Sequence, residues 1–400
     1  TLPVQSLMRR CLINDNGEVV TYLHPTDNTK TDTGATADLT GTTGQVMVEI
    51  PKHYRKFEFD GTIITALISL YNLPGFHEVP KMYISAYEAT IDRTTSSTPK
   101  LASVVNKTAN FRGGNNNTAW DGTYRSLLGL PATQTSLTNF RKYARNRGEA
   151  GLNGCGWNCN LYAAQVAMYW LFVIEYANRN CQAAYNAEPT SEGYKQGGLG
   201  DGVTTLNGTK WNAYNGYYPF VPCGFTNSLG NRSGVVEFTM PDEYDTGVVT
   251  KVNVPSYRGV ENPFGHLWKW TDGCKCEIQS DTDGALSKFY VCLDPSKFQD
   301  SSYNDYDLRG ELPRKEGYVK RMMVGEHGDI MPTEVGASST THFADYFYTN
   351  IPASGAAMRG VLFGGRAHDG AGAGLSCAYT SNAASATNAR IGSRLCFIPA

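Results

Sequence analysis

Within the first eighty positions, short stretches alternate apolar and polar residues with the two-residue period of strands. Leu12 to Leu23 holds the turn Asn14-Asp15-Asn16-Gly17 between two apolar stretches and predicts a hairpin. Val46, Val48 and Ile50 share one face of a strand over 45–50, and Tyr54 to Phe59 repeats the pattern with aromatic residues. Thr26 to Gly44 is rich in Thr, Asp and Gly and predicts a solvated loop. Pro74-Gly75 and Pro80 then punctuate the chain before a strand at Met82 to Glu88, which sets an expected boundary near residue 80.

Two stretches change to the helical period. Leu137, Phe140 and Ala144 follow a candidate N-cap, Ser136, and precede a candidate stop, Gly148. Leu161 to Asn178 is apolar nearly all round, interrupted by Gln165, and predicts a buried helix. Its apolar run, Leu161 to Ile174, is too short to span a bilayer, so membrane insertion is not expected. Residues 185 to 260 are Gly-, Asn- and Tyr-rich, predicting long irregular loops with short strands near Val235 to Phe238 and Val248 to Val254. No internal repeat is visible. At the end, Val361 to Gly365 and Ile391 to Ile398 predict two strands around a small, polar stretch over 366–390. A loop anchored at both ends suits a displayed binding surface.

Composition narrows the class. The 400 residues are 41% hydrophobic and 18% charged, enough for one large or two ordinary globular domains. The 42 Gly and 24 Tyr favour a loop-rich, β-containing fold over a helix bundle. A net charge of −2 gives no electrostatic reason to expect a nucleic-acid partner. Thr1 to Asn14 carries Arg9-Arg10 without the apolar run of a signal peptide. The ten cysteines have scattered spacings and read mostly as packed thiols, with a Cys377–Cys396 bridge left as the alternative.

Motifs for catalysis are missing. Gly370, Gly372 and Gly374 fail the G-x-G-x-x-G spacing of a dinucleotide site. No two of the seven histidines share a helical turn, so no metal is expected from them. Cys155 and Cys159 lack a second pair of matching spacing, and Asp281-Thr282-Asp283-Gly284 lacks the remaining ligands of a calcium loop. There is no G-x-S-x-G. Trp268 and Trp270 read as one face of a core strand in preference to a sugar-stacking stripe.

Four stretches in order resemble the C-type-lectin fold in its formylglycine-generating-enzyme form: Met82 to Thr90, Glu261 to Trp270, Met358 to Gly365, and Ile391 to Cys396. The resemblance implies an α+β, C-type-lectin-like fold with long irregular loops over 81–400, after a short β-rich N-terminal part over 1–80 for attachment or oligomerisation. The enzyme holds copper with two closely spaced cysteines, whereas Cys377 and Cys396 are nineteen residues apart, so oxidase activity is the alternative and not the main reading. The chain is more similar to the variable proteins of diversity-generating retroelements, in which adenines of a C-terminal cassette are mutated. Asparagine codons there cannot become Lys, Gln, Glu, Met or Trp. Residues 1–363 hold 56 of these five types (16 Lys, 17 Glu, 8 Gln, 9 Met and 6 Trp), so the final 37 residues should hold about five or six at ordinary composition. They hold none.

That resemblance places a variable region at about 364–396. Its ligand-binding positions are Arg366, His368, Asp369, Gly372, Tyr379, Ser381, Asn382, Ala386, Asn388 and Arg390, with Leu375 and Ser376 as extras. Met8 to Leu12, Ala37 to Gly41 and Gly44 to Lys52 look like tail or fibre proteins of bacteriophages. Together these imply a non-enzymatic adhesin of the virion tail, with a bacterial cell-surface protein as the alternative location. Its partners would be a host-surface protein or glycan, other tail proteins and further copies of itself. A purely structural tail component is the second alternative. No cofactor is expected, although calcium bound by loop oxygens is compatible with a lectin-like fold.

Overall fold

The computed structural model describes residues 2–61, 63–113, 127–148, 156–186, 211–212, 216–239 and 251–399. Cys155 and residues 240–250, where part of one expected strand falls, lie outside them.

Among the described residues strands dominate, and the α-helices include Leu137–Arg145 and Tyr162–Tyr176. A seven-stranded sheet runs in the order Gly156–Cys159, Leu395–Ile398, Met82–Ser85, Gln45–Ile50, Arg9–Ile13, Val19–His24, Asp27–Thr31. The Asn14–Gly17 hairpin forms as expected: Asn14 Oδ1 accepts from the backbone N–H of Asn16 and Glu18 at 3.0 Å each. Two expectations change. Gln45–Ile50 is buried on both faces, because Val46, Val48 and Ile50 pack into one hydrophobic cluster and Met47 into another on the opposite face. The stretch after Thr26 adds a sheet strand, with Asn28 wholly buried and donating to the His24 carbonyl at 2.9 Å.

The expected boundary at residue 80 does not separate two cores. Val48 pairs with Ile84 across it, and Leu12, Val48, Ile84 and Cys396 belong to one hydrophobic cluster. The apolar faces on the two sides of residue 80 complete each other.

A second, nine-stranded sheet carries the C-terminal region. Trp268–Gln279 lies at its middle, between Ser287–Val291 and Ala356–Phe363, and Ile391–Gly392 runs parallel to its start. Beyond Ala356–Phe363 come Ala378–Tyr379, Tyr346–Tyr348, Gly317–Val324 and Asp329–Val335. The stretch expected as one closing strand is thus two, Ile391–Gly392 and Leu395–Ile398, in different sheets. Arg394 lies between them, wholly buried, donating to the carbonyls of Ser85 at 3.1 Å and Asn262 at 2.6 Å.

Both helices form where the periodicity puts them. The Ser136 hydroxyl accepts from Asn139 N–H at 3.2 Å, the expected cap. Tyr162–Tyr176 buries Tyr162 and the nine residues from Ala164 to Phe172, and ends at Ala177 in the left-handed conformation. Trp268 and Trp270 are core, as expected, at 3% and 0% exposure. The nine described cysteines are free and buried, and Cys377 and Cys396 fall in different clusters, so no bridge joins them. No described helix is long and apolar enough to cross a membrane, which says nothing of β-barrels.

Candidate ligand-binding surface

The segment from Gly364 to Ile391 has little regular structure, so its backbone polar groups need partners elsewhere. They find them along its whole length. Gly364 N–H donates to Cys377 O at 3.0 Å and Ala367 N–H to His266 O at 3.0 Å. The buried Gln182 amide donates to the carbonyls of Gly370 and Ala373, at 2.7 and 2.8 Å. Gln165, the polar break in the buried helix, donates to Leu375 O at 2.8 Å. Asp345, wholly within the core, accepts from the Ser376 N–H and hydroxyl at 2.8 and 2.5 Å. Further on, Thr380 N–H donates to Tyr348 O, while the carbonyls of Asn382, Ala384, Asn388 and Arg390 accept from Gly360, Leu137, Gln134 and Trp268. Side chains at the candidate positions make almost none of these bonds. The path of the loop is set by its main chain and by residues outside it.

A buried ionic group lies beneath. Glu88 sits with one carboxylate oxygen 2.6 Å from His266 Nδ1 and the other 3.0 Å from Lys269 Nζ, all three buried. Burial alone would raise the Glu88 carboxyl, but Lys269 and His266 overcome it and hold the group at about 2. His266 offers its carbonyl to the loop, so this group fixes the loop's first turn.

The structure gathers several candidate side chains. Arg390 lies over the Tyr217 ring at 5.2 Å, and the His368 ring meets Trp211 and Tyr217 at 5.6 and 6.2 Å. Tyr379 packs against Trp268 and Tyr348 at 5.6 and 5.8 Å, and the charge of Arg366 reaches Arg390. Arg366 and His368 keep 20% and 19% of their side-chain surface in solvent. Ser381, Asn382, Ala386 and Asn388 continue from Tyr379 as half-buried positions. Asn388 also caps its neighbour, accepting from Arg390 N–H at 3.1 Å.

Two candidates are corrected. Asp369 turns inward at 3% exposure, its carboxylate taken by Arg366 N–H and Nε at 3.0 and 2.9 Å, so it orders the turn and has little surface for a ligand. Gly372 is buried, and a Cβ there would stand 3.1 Å from Tyr346 Cβ. The extras Leu375 and Ser376 are buried too. Reading the codon set alone does not distinguish a small residue on the surface from one under it.

Trp211, Tyr217 and Tyr348 escaped the sequence reading. The first two fall in the stretch Trp211 to Phe220, whose Tyr, Asn and Gly content is the composition of recognition loops. Burial, with Arg366 and Arg390 adding repulsion, pushes His368 down to about 4, so the ring is neutral near pH 7. An NMR titration of the histidine rings is expected to find His368 with a midpoint near 4, moving back toward 6.5 in Arg366→Ala or Arg390→Ala. A midpoint near 6.5 in the parent protein would contradict the buried, cation-flanked placement.

No protein-family model and no curated protein matches the chain. Solved structures to which it is similar include variants of the Major Tropism Determinant. The U1 variant shares 14% identity at a TM-score of 0.30, over 98% of this chain and 72% of that one. The I1 and M1 variants share 12% identity at a TM-score of 0.27, over 97% of this chain and 78% of theirs. Superpositions this loose carry no argument for fold or function.

Proposed function

We propose that this protein is a receptor-binding adhesin that displays diversified side chains on a C-type-lectin-like scaffold, for attachment of a phage tail to its host. The observation that carries this reading is the division of labour in the loop. Backbone groups and fixed polar residues hold its path, with Arg366 tying down Asp369, while the side chains of His368, Tyr379, Ser381, Asn382, Ala386 and Arg390 make almost none of these bonds. Such a frame accepts changes of side chain without changes of backbone. Tyr and Arg beside Trp211 and Tyr217 are also the residue types that anchor protein recognition. The codon-limited composition of the final 37 residues supports a mutated cassette.

An oxidase reading is less well supported. Cys377 and Cys396, the two cysteines it would rely on, are buried in different hydrophobic clusters. The decisive experiment is sequencing of the C-terminal coding segment across many related isolates. Substitutions concentrated at Arg366, His368, Tyr379, Ser381, Ala386 and Arg390, with Gln182, Asp345 and Gly374 constant, are the expected outcome. An invariant segment would overturn the proposal.

A further inference from the structure

The surface around Arg366 and Arg390 carries more hydrogen-bond donors than its own chain uses. Arg366 commits its backbone N–H and Nε to the Asp369 carboxylate, at 3.0 and 2.9 Å. Its two Nη groups have no partner among the described residues. The Arg390 guanidinium has no hydrogen bond or ion pair there at all. It lies over the Tyr217 ring at 5.2 Å, and the bond to Asn388 Oδ1 is made by its backbone N–H. His368 stands within the field of both guanidiniums, and its Nδ1 is a further buried polar atom without a partner among the described residues.

Charge is unbalanced in the same place. Arg366 repels Arg390, and Asp369 is the one described carboxylate that acts on Arg390. Two cations thus face one carboxylate, on a chain whose net charge is −2, so the positive excess is local.

The rings beside these cations are already engaged. Trp211 is wholly buried, and Tyr217 turns a face to Arg390. The rings of Trp211, Tyr217 and His368 meet one another edge to face, at 85°, 77° and 67°. This trio therefore offers no open platform for the flat face of a sugar. What the patch offers is guanidinium N–H groups, whose planar fork fits the two oxygens of a carboxylate.

We propose that this sequence recognises an acidic loop of a protein receptor, whose Asp or Glu carboxylates are taken by Arg390 and by the Nη groups of Arg366. The proposal rests on the adhesin reading for the place of binding and adds the chemistry of the ligand. Trp211 and Tyr217 lie outside 364–396, so mutation of the cassette would replace the charges and leave their aromatic support in place.

Fluorescence anisotropy of the full chain at low ionic strength tests this, with labelled hexaglutamate, hexaglutamine and hexagalacturonate as probes. Saturable hexaglutamate binding is expected, with hexagalacturonate at least about ten-fold weaker and hexaglutamine without measurable binding. The Arg390 side chain bonds nothing, so Arg390→Gln is expected to keep the parent Tm and to weaken hexaglutamate about ten-fold. Lys52→Gln, which removes an exposed cation of the N-terminal part, should leave binding unchanged. Should Arg390→Gln lose stability, Arg390→Lys decides: it keeps the charge and loses the fork, and must bind hexaglutamate more weakly than the parent. The proposal is overturned by absent hexaglutamate binding, by equal binding of hexaglutamine or hexagalacturonate, by no loss in a folded Arg390→Gln, or by an equal loss in Lys52→Gln. Absent hexaglutamate binding beside a diversified coding segment would sink the acidic ligand alone, whereas an invariant segment would sink the adhesin reading itself.

Discussion

Glu88→Gln is expected to lower the stability of the protein by about 3–5 kcal/mol, the usual cost of leaving a buried charge without its counter-charge. Lys269 would remain fully buried, and His266 would face an amide in place of a carboxylate. Denaturant unfolding measures the loss directly. The same group sets an acid limb. Glu88 titrates at about 2 in the folded protein, below its ordinary 4.5, so its contribution is complete above pH 4.5 and is lost as pH falls toward 2. Between those values the variant should show a flatter pH dependence than the parent. Equal stability of Glu88→Gln and parent at pH 7 would mean that the buried group does not hold the loop's base.

Gly374→Ala is the second large effect. A Cβ at this position would stand 2.0 Å from Asp345 Oδ1 and 2.5 Å from its Cγ. Asp345 cannot move away cheaply, because it is buried and holds both Ser376 groups. Overpacking a core typically costs about 1–3 kcal/mol, and losing the Ser376 bonds adds a penalty of about 1–3 kcal/mol for the buried groups left unmet. Gly374→Ala is therefore expected to destabilise the chain and to raise hydrogen exchange across residues 374–380. In an Asp345→Ala background the same substitution should cost much less, since the clashing atoms are gone. Additive effects in that double-mutant cycle would show that the clash is not the cause.

Much of the fold was legible because local pattern and tertiary setting agree. The Asn14–Gly17 turn, the Ser136 cap and the apolar run of Tyr162–Tyr176 each carry their own instructions. Legibility failed where a strand's surroundings come from distant chain. Gln45–Ile50 alternates like a half-buried strand, yet hydrophobic clusters cover both its faces. The boundary expected at Pro80 ignored hydrogen bonds between strands on its two sides, which no local signal records.

The candidate surface was legible as a segment and less so residue by residue. Small, varied residues marked 366–390, but they could not tell Arg366, one-fifth in solvent, from Asp369, which Arg366 ties down. One residue that holds the loop was visible as an anomaly, Gln165 in an apolar helix, because a lone polar residue in an apolar stretch signals a buried partner, here Leu375. Gln182, which holds Gly370 and Ala373, follows the polar stretch Asn178 to Asn180 and carried no such signal.

The central physical claim is that the frame from Gly364 to Ile391 is fixed by its backbone partners and indifferent to its half-exposed side chains. A library with every substitution at each position, displayed and sorted for protease resistance, measures that most directly. At His368, Tyr379, Ser381, Asn382, Ala386 and Arg390, most substitutions are expected to change stability by no more than about 0.5 kcal/mol, as at ordinary surface positions. At Gln165, Gln182, Asp345, Gly374 and Ser376, most should be lost from the resistant pool. Equal intolerance in the two sets would contradict the account.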